Sequence, residues 1–188
     1  MAAALQMRGA AAQVVPSSLH LVTRVTSRPG WNPYAISEVN EMTMTPLSRL
    51  VQVHKAIGHP VRLRLLAVLR GGPLCVCQMT AIVRLAASTV SEHLSELRKA
   101  GLISERKEGR WVEYRLSDAA LRDGILDPIW PALEEDAEAK ADTVLVKELR
   151  RVPLDELCSV DLDLDRLDRP KLATAVAKAA QIRDGGAR

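Results

Sequence analysis

The chain has little of what catalysis, export or membrane insertion requires. It carries no Gly-rich phosphate loop, nucleophile elbow, HExxH pair or visible acid pair, so no enzyme is expected. No apolar run approaches the roughly 18 residues of a membrane span, which predicts a soluble, cytoplasmic protein with no membrane partner. Three cysteines are too few for a disulfide framework. Cys75 and Cys77 also stand too close in the chain to bridge each other without strain. A reducing compartment suits them, with thiols free to ligate or react. Acidic residues are absent before Glu38, and the first 40 or so residues hold Pro16, Pro29 and Pro33 with no helical or alternating period. Residues 1–44 therefore read as a disordered leader. Lacking an amphipathic stripe or a secretory apolar core, the leader fits an upstream extension, with translation starting at Met42 or Met44, better than a transit peptide.

What remains is enough for one domain. The chain has 188 residues, of which 47% are hydrophobic. The net charge of +3 hides an asymmetry, since residues 1–74 carry 8 basic and 2 acidic side chains whereas 118–168 carry 6 and 15. The front and middle can face an anionic partner, and the acidic stretch would be repelled by one.

Local signals place the elements over 45–151. "TPLSRLVQVHKAIG" has a Thr cap, Pro at the first helical position and a Gly stop, and "HPVRLRLLAVLRGG" repeats the pattern. "LCVCQMTAIVRLA" predicts a short third helix. After a turn at 85–87, "STVSEHLSELRKAG" predicts a fourth with Val90, Leu94 and Leu97 inward, capped by Ser88 or by Thr89 with Glu92. "LISERKEGRWVEYRLS" is two alternating runs around a tip at 107–110, with Gly109 available for a positive φ. Helix returns from Ser117, with Asp127–Pro128 and Pro131 starting or kinking a long helix that runs to about Arg151. Residues 152–188 are expected to form a C-terminal tail, partly ordered at best. The fold class is mostly α with a two-stranded β-wing, a winged helix-turn-helix in the order α-α-α-α-β-β-α. It is expected to be homodimeric because helices 47–57 and 131–150 carry more apolar surface than one small core can cover.

The fourth helix offers Ser88, Thr89 and Ser91 outward, with His93 and Arg98 flanking. Short hydroxyls at a helix N-terminus let the backbone approach base edges in a major groove. Arg106, Lys107 and Arg110 at the hairpin tip cannot serve a core but can hold a duplex backbone. Double-stranded operator DNA is the expected partner, with these eight residues as its contacts.

Together these segments resemble the ArsR/SmtB winged-helix metalloregulators. "LCVCQM" is similar to the thiol motif of the arsenic- and antimony-sensing branch, "STVSEHLSELRKAGLI" to its recognition helix, and "RKEGRWVEYRLS" to its wing. The resemblance implies a homodimeric repressor that releases its operator when As(III) or Sb(III), the inducer, binds the thiolates. Two departures stand out. Thr80 occupies the place of a third Cys found in the longer thiol motif, and residues 118–151 contain no His for a zinc site.

Thiolates are the ligands that soft ions choose over carboxylates. On a regular helix residues i and i+2 lie about 200° apart, so Cys75 and Cys77 cannot converge on one ion while their turn stays helical. Binding should therefore tilt or unwind the support of the recognition helix, coupling ion to operator. Cys158, the only other thiol, is the candidate third metal ligand. A thiol-redox repressor that pairs Cys75 or Cys77 with Cys158 or another subunit, or a sensor of another soft ion, are the alternatives.

Overall fold

The structure, a computed structural model, describes residues 45–186, with Glu108 in its backbone only. The expected leader over 1–44 lies outside them. Among the described residues no helix is long and apolar enough to cross a membrane.

Helix α1, Pro46–Ile57, starts where the sequence signals place it: Thr45 Oγ1 accepts the Ser48 N–H at 3.1 Å and Pro46 needs no partner. Helix α2, Pro60–Leu69, repeats the device, with His59 Nδ1 accepting the Val61 N–H at 3.2 Å. Leu65, Leu66, Val68 and Leu69 are all buried, which makes α2 the centre of the core. Helices α3, Val76–Val83, and α4, Ala87–Lys99, follow, joined through Arg84 in the left-handed region. Strands β2, Ile103–Glu108, and β3, Trp111–Leu116, pair antiparallel from Ile103↔Leu116 to Glu108↔Trp111. This register leaves a two-residue turn at 109–110, and Gly109 takes the positive φ of 60° that the turn demands. The result is a winged helix-turn-helix.

Three features differ from the sequence expectation. First, Leu74–Cys75 is a short strand, β1, not the start of a helix. It pairs with β3 through Leu74↔Tyr114 and Cys75↔Glu113, so the sheet has three strands in the order β1-β3-β2. Second, Pro131 stands in the first turn of a helix, as a starting proline should, but the long helix is then interrupted at an aspartate. After α5, Asp118–Arg122, and a 3-10 turn at Asp127–Ile129, helix α6, Trp130–Glu135, stops at Asp136. There the Asp136 carboxylate accepts the Ala139 N–H at 2.8 Å and opens α7, Ala137–Leu149. Third, the tail is structured. Helix α8, Leu154–Ser159, a 3-10 turn at Leu164–Arg166 and helix α9, Pro170–Gly186, bury Leu157, Leu164, Leu172, Ala175 and Ala179. The Asp–Leu alternation makes tight turns: Asp161 and Leu162 adopt φ of 55° and 64°, and Asp163 caps the 3-10 turn.

Helix α9 lies along α7 and covers it. The apolar surface over 131–150 that suggested a dimer interface is thus largely satisfied within the chain. On α1 the surface stays open, with Leu47 70% and Leu50 47% exposed, and on α5 Leu121 is 57% exposed. Arg49 and Asp123, paired at 3.2 Å, hold the two regions together.

A charge network fixes α9. Asp142 is fully buried between Arg64 of α2 (Nε to Oδ2, 2.6 Å) and Arg183 of α9 (Nη2 to Oδ1, 2.8 Å), and Glu138 also accepts from Arg183 at 3.1 Å. Burial raises the pKa of that carboxyl, and the two guanidiniums oppose the shift: Arg64 donates to both oxygens, its Nη2 reaching Oδ1 at 2.9 Å, and Arg183 shares Oδ1.

Candidate nucleic-acid interface and thiol site

Helix α4 begins two residues earlier than a Ser88 cap requires. Ala86 is the N-cap and makes no side-chain capping bond, so Ser88 and Thr89 lie within the first turn and their hydroxyls are not used as caps. Val90, Leu94 and Leu97 are fully buried against the core, while Ser88, Ser91 and Glu92 are exposed. The first turn contains no acidic side chain, so nothing opposes a phosphate near its positive dipole end.

The flanking candidates are anchored differently. His93 is half-buried and packs on His59, ring centroids 4.4 Å apart, and burial followed by the neighbouring His59 and Arg62 charges holds its pKa down. It therefore links the start of α2 to the reading helix. Arg98 donates to Glu105 at 2.7 Å, tying α4 to the wing. At the tip Lys107 is exposed, as is Arg106. Arg110 lies over the Trp111 ring at 4.7 Å and pairs with Asp155 of α8. The Glu105 and Asp155 partners had no local sequence signal, because both pairs form across elements.

The thiols sit at a strand–helix junction. Cys75 ends β1 and is the N-cap of α3, 2% exposed, with its N–H donating to Gln78 Oε1 at 3.0 Å. Gln78 Nε2 reaches the Leu149 carbonyl at 3.4 Å, so this turn leans on the end of α7. The preceding loop is held by Arg150, which donates to the carbonyls of Val68 (3.1 Å), Gly72 (2.8 Å) and Gly71. Gly72 is required there: its φ is 122°, and a Cβ would stand 2.6 Å from Arg150 Nη1.

Cys77 is half-buried in the first turn of α3, and the Cys158 Sγ of the same chain lies 3.6 Å from its own. Burial, then the bond and charge of Cys158, push the Cys77 thiol up to about 11. The structure thus brings two of the three candidate ligands together. Cys75 belongs to the same turn, but among the described residues no group of three His, Cys, Asp or Glu is already arranged around one ion. Cys75 is extended and not helical, at φ −78° and ψ 157°, so the 200° separation of two residues on one regular helix does not apply to Cys75 and Cys77.

Comparison with known proteins adds the following. Residues 59–105 match the model described as bacterial regulatory protein, arsR family. The chain is 38% identical over 93 residues to the arsenic resistance transcriptional regulator ArsR1 of Pseudomonas putida, covering 45% of this chain and 72% of that one. It is 35% identical over 92 residues to the arsenical resistance operon repressor of Escherichia coli, covering 47% and 79%. It is also 35% identical over 91 residues to the HTH-type transcriptional regulator CmtR of Mycobacterium tuberculosis, covering 48% and 77%. Cys75, Cys77 and α4 fall inside the family match, whereas Cys158 falls outside it.

Proposed function

The chain belongs to the arsR family of bacterial regulatory proteins, DNA-binding transcriptional regulators and not enzymes, and we propose that it is a dimeric operator-bound repressor released by As(III) or Sb(III) at Cys75, Cys77 and Cys158. The observation that carries this is the 3.6 Å contact between Cys77 and Cys158 Sγ atoms beside a third thiol on β1. A soft trivalent ion prefers sulfur, and these are the chain's three thiols. Cys77 and Cys158 would hold it from two elements, and Cys75 would turn toward them. Since β1 is hydrogen-bonded to β3, movement of Cys75 is passed directly to the wing, while α3 passes it to α4. The arsenic-resistance names of two relatives support the choice of ion. The open apolar residues Leu47, Leu50 and Leu121 supply the dimer contact, so that two α4 helices can enter successive major grooves.

A proton count tests the ion. As(OH)3 and three thiols give As(SR)3 and three waters with no net proton released, so arsenite should dissociate operator complexes at nearly the same concentration from about pH 6 to pH 8. A divalent soft cation must instead displace the thiol protons. With Cys77 pushed up to about 11, protons compete throughout that range, and cadmium binding should tighten about tenfold per pH unit for each proton displaced. Anisotropy of a labelled operator measures both. Release by cadmium at lower concentration than by arsenite throughout this range would reassign the inducer.

The same sulfur contact favours a second reading, in which peroxide oxidises Cys77 and Cys158 to a disulfide, two thiols and H2O2 giving the disulfide and two waters. The raised Cys77 pKa opposes it, because thiolate is the form that attacks peroxide. Peroxide titration beside arsenite titration separates the two.

The wing gives a further expectation. Lys107→Ala should weaken binding to all DNA sequences alike and lower the salt slope by about one. Asp155→Ala should act oppositely, because Asp155 competes with phosphate for Arg110. Salt-dependent anisotropy on specific and random duplexes checks both, and an unchanged affinity in Asp155→Ala would remove Arg110 from the DNA contacts.

A further inference from the structure

A cleft of about 530 Å³ opens between α2, α6, α7 and α9, away from the thiols and α4. Its volume is that of a small-molecule site, for which about 300–1,000 Å³ is usual. Trp130, Leu133, Val144 and Ile182 make an apolar wall. The charges around it are unbalanced. Arg70 and Glu134 neutralise each other at 2.5 Å, with Arg70 also lying over the Trp130 ring at 4.9 Å. Lys140 of α7 and Lys178 of α9, both exposed at the cleft, form no ion pair among the described residues, the one lining carboxylate, Glu134, being paired with Arg70. The Thr143 hydroxyl is spent on the Ala139 carbonyl at 2.8 Å, which leaves the two ammonium groups as the polar anchors on offer.

We propose that this cleft binds an amphipathic small-molecule monocarboxylate, its apolar body against Trp130, Leu133, Val144 and Ile182 and its carboxylate between Lys140 and Lys178. A neutral apolar molecule would leave the ammonium groups unused, and an organic cation would be repelled by them. A polyanion would set most of its charge against hydrocarbon, which is costly. One carboxylate on an apolar body matches both halves of the site. Because one lysine comes from α7 and the other from α9, the ligand would clasp the C-terminal helix to the core.

Decanoate is the probe, titrated calorimetrically into the full-length protein beside decanol and decylammonium. One decanoate should bind per chain in the micromolar range, with decanol weaker and decylammonium undetected. The exposed double change Lys140→Gln, Lys178→Gln should weaken decanoate at least about tenfold, as expected when charge-assisted contacts are lost. Val144→Arg should block the wall and abolish binding with the helical circular dichroism unchanged. Absence of decanoate binding, equal binding of decanol, or an unaltered affinity in the double Gln variant would each overturn the proposal.

Discussion

Arsenite added to Cys77→Ser protein is expected to leave operator complexes intact at concentrations that release the unaltered protein completely. Cys77 is the node of the thiol set, two residues from Cys75 in the chain and 3.6 Å from Cys158 Sγ in space. Serine at this position keeps the shape of the turn and removes the soft donor from its middle. Cys158 then has no described thiol against it, and Cys75 stays in its buried cap. Residues that merely support a metal ligand are worth about 10- to 100-fold in affinity, so loss of the central ligand should raise the concentration required by more than about 100-fold. Cys158→Ser should produce a smaller rise, and both variants should bind operator normally because neither residue belongs to α4 or to the wing. Anisotropy titrations of the variants measure this. A Cys77→Ser protein that responds to arsenite like the unaltered one would place the inducer elsewhere.

The second large effect is on stability. Asp142→Ala should cost about 3–5 kcal/mol, the range for removing one partner of a buried ion pair, a large share of the 5–15 kcal/mol typical of a domain. Arg64 and Arg183 side chains are only 16% and 14% exposed, so both guanidiniums would lose their buried counter-charge without gaining water, keeping only the half-exposed Glu138 between them. Helix α9 is the part most dependent on this, because its buried face is built from Leu172 and small alanines whose burial contributes little each. Urea denaturation with thiols kept reduced gives the magnitude, and protease cleavage after 170 reports release of α9. A loss under about 1 kcal/mol would show that the cluster is solvated and its charges replaceable. Asp142→Asn, which keeps the shape and can still accept from one guanidinium, should fall between.

How much of this was legible in the sequence depended on whether the cause was local. Thr45–Pro46 and Pro60 fixed two helix starts, Gly109 fixed the wing turn, and Val90, Leu94 and Leu97 fixed the buried stripe of α4, each within a few residues of its effect. Cys75 misleads because its strand character comes from Glu113 and Tyr114, far along the chain. At 127–136 the prolines drew the eye, yet a capping aspartate among several acidic neighbours makes the break. The tail reads as weak because Ala175 and Ala179 mark a buried face only once α7 is present to bury it. Counting thiols identified Cys158 as the remaining soft donor, but its contact with Cys77 rests on how α8 folds back against α3. The partners of Arg98 and Arg110 were not legible at all, since neither carboxylate lies on the same element as its arginine.

Cys77 and Cys158 are 81 positions apart in the chain, and the segment between them contains the whole reading head, α4 and the wing included. A link between these sulfurs, whether through a bound ion or directly, closes a ring around that head. By chain-entropy arithmetic a closure of this length removes about 4–5 kcal/mol of freedom from the unfolded chain. On the proposed mechanism, the event that loosens the grip on DNA would also make the protein harder to unfold, so that the released form would be topologically locked for as long as the link lasts.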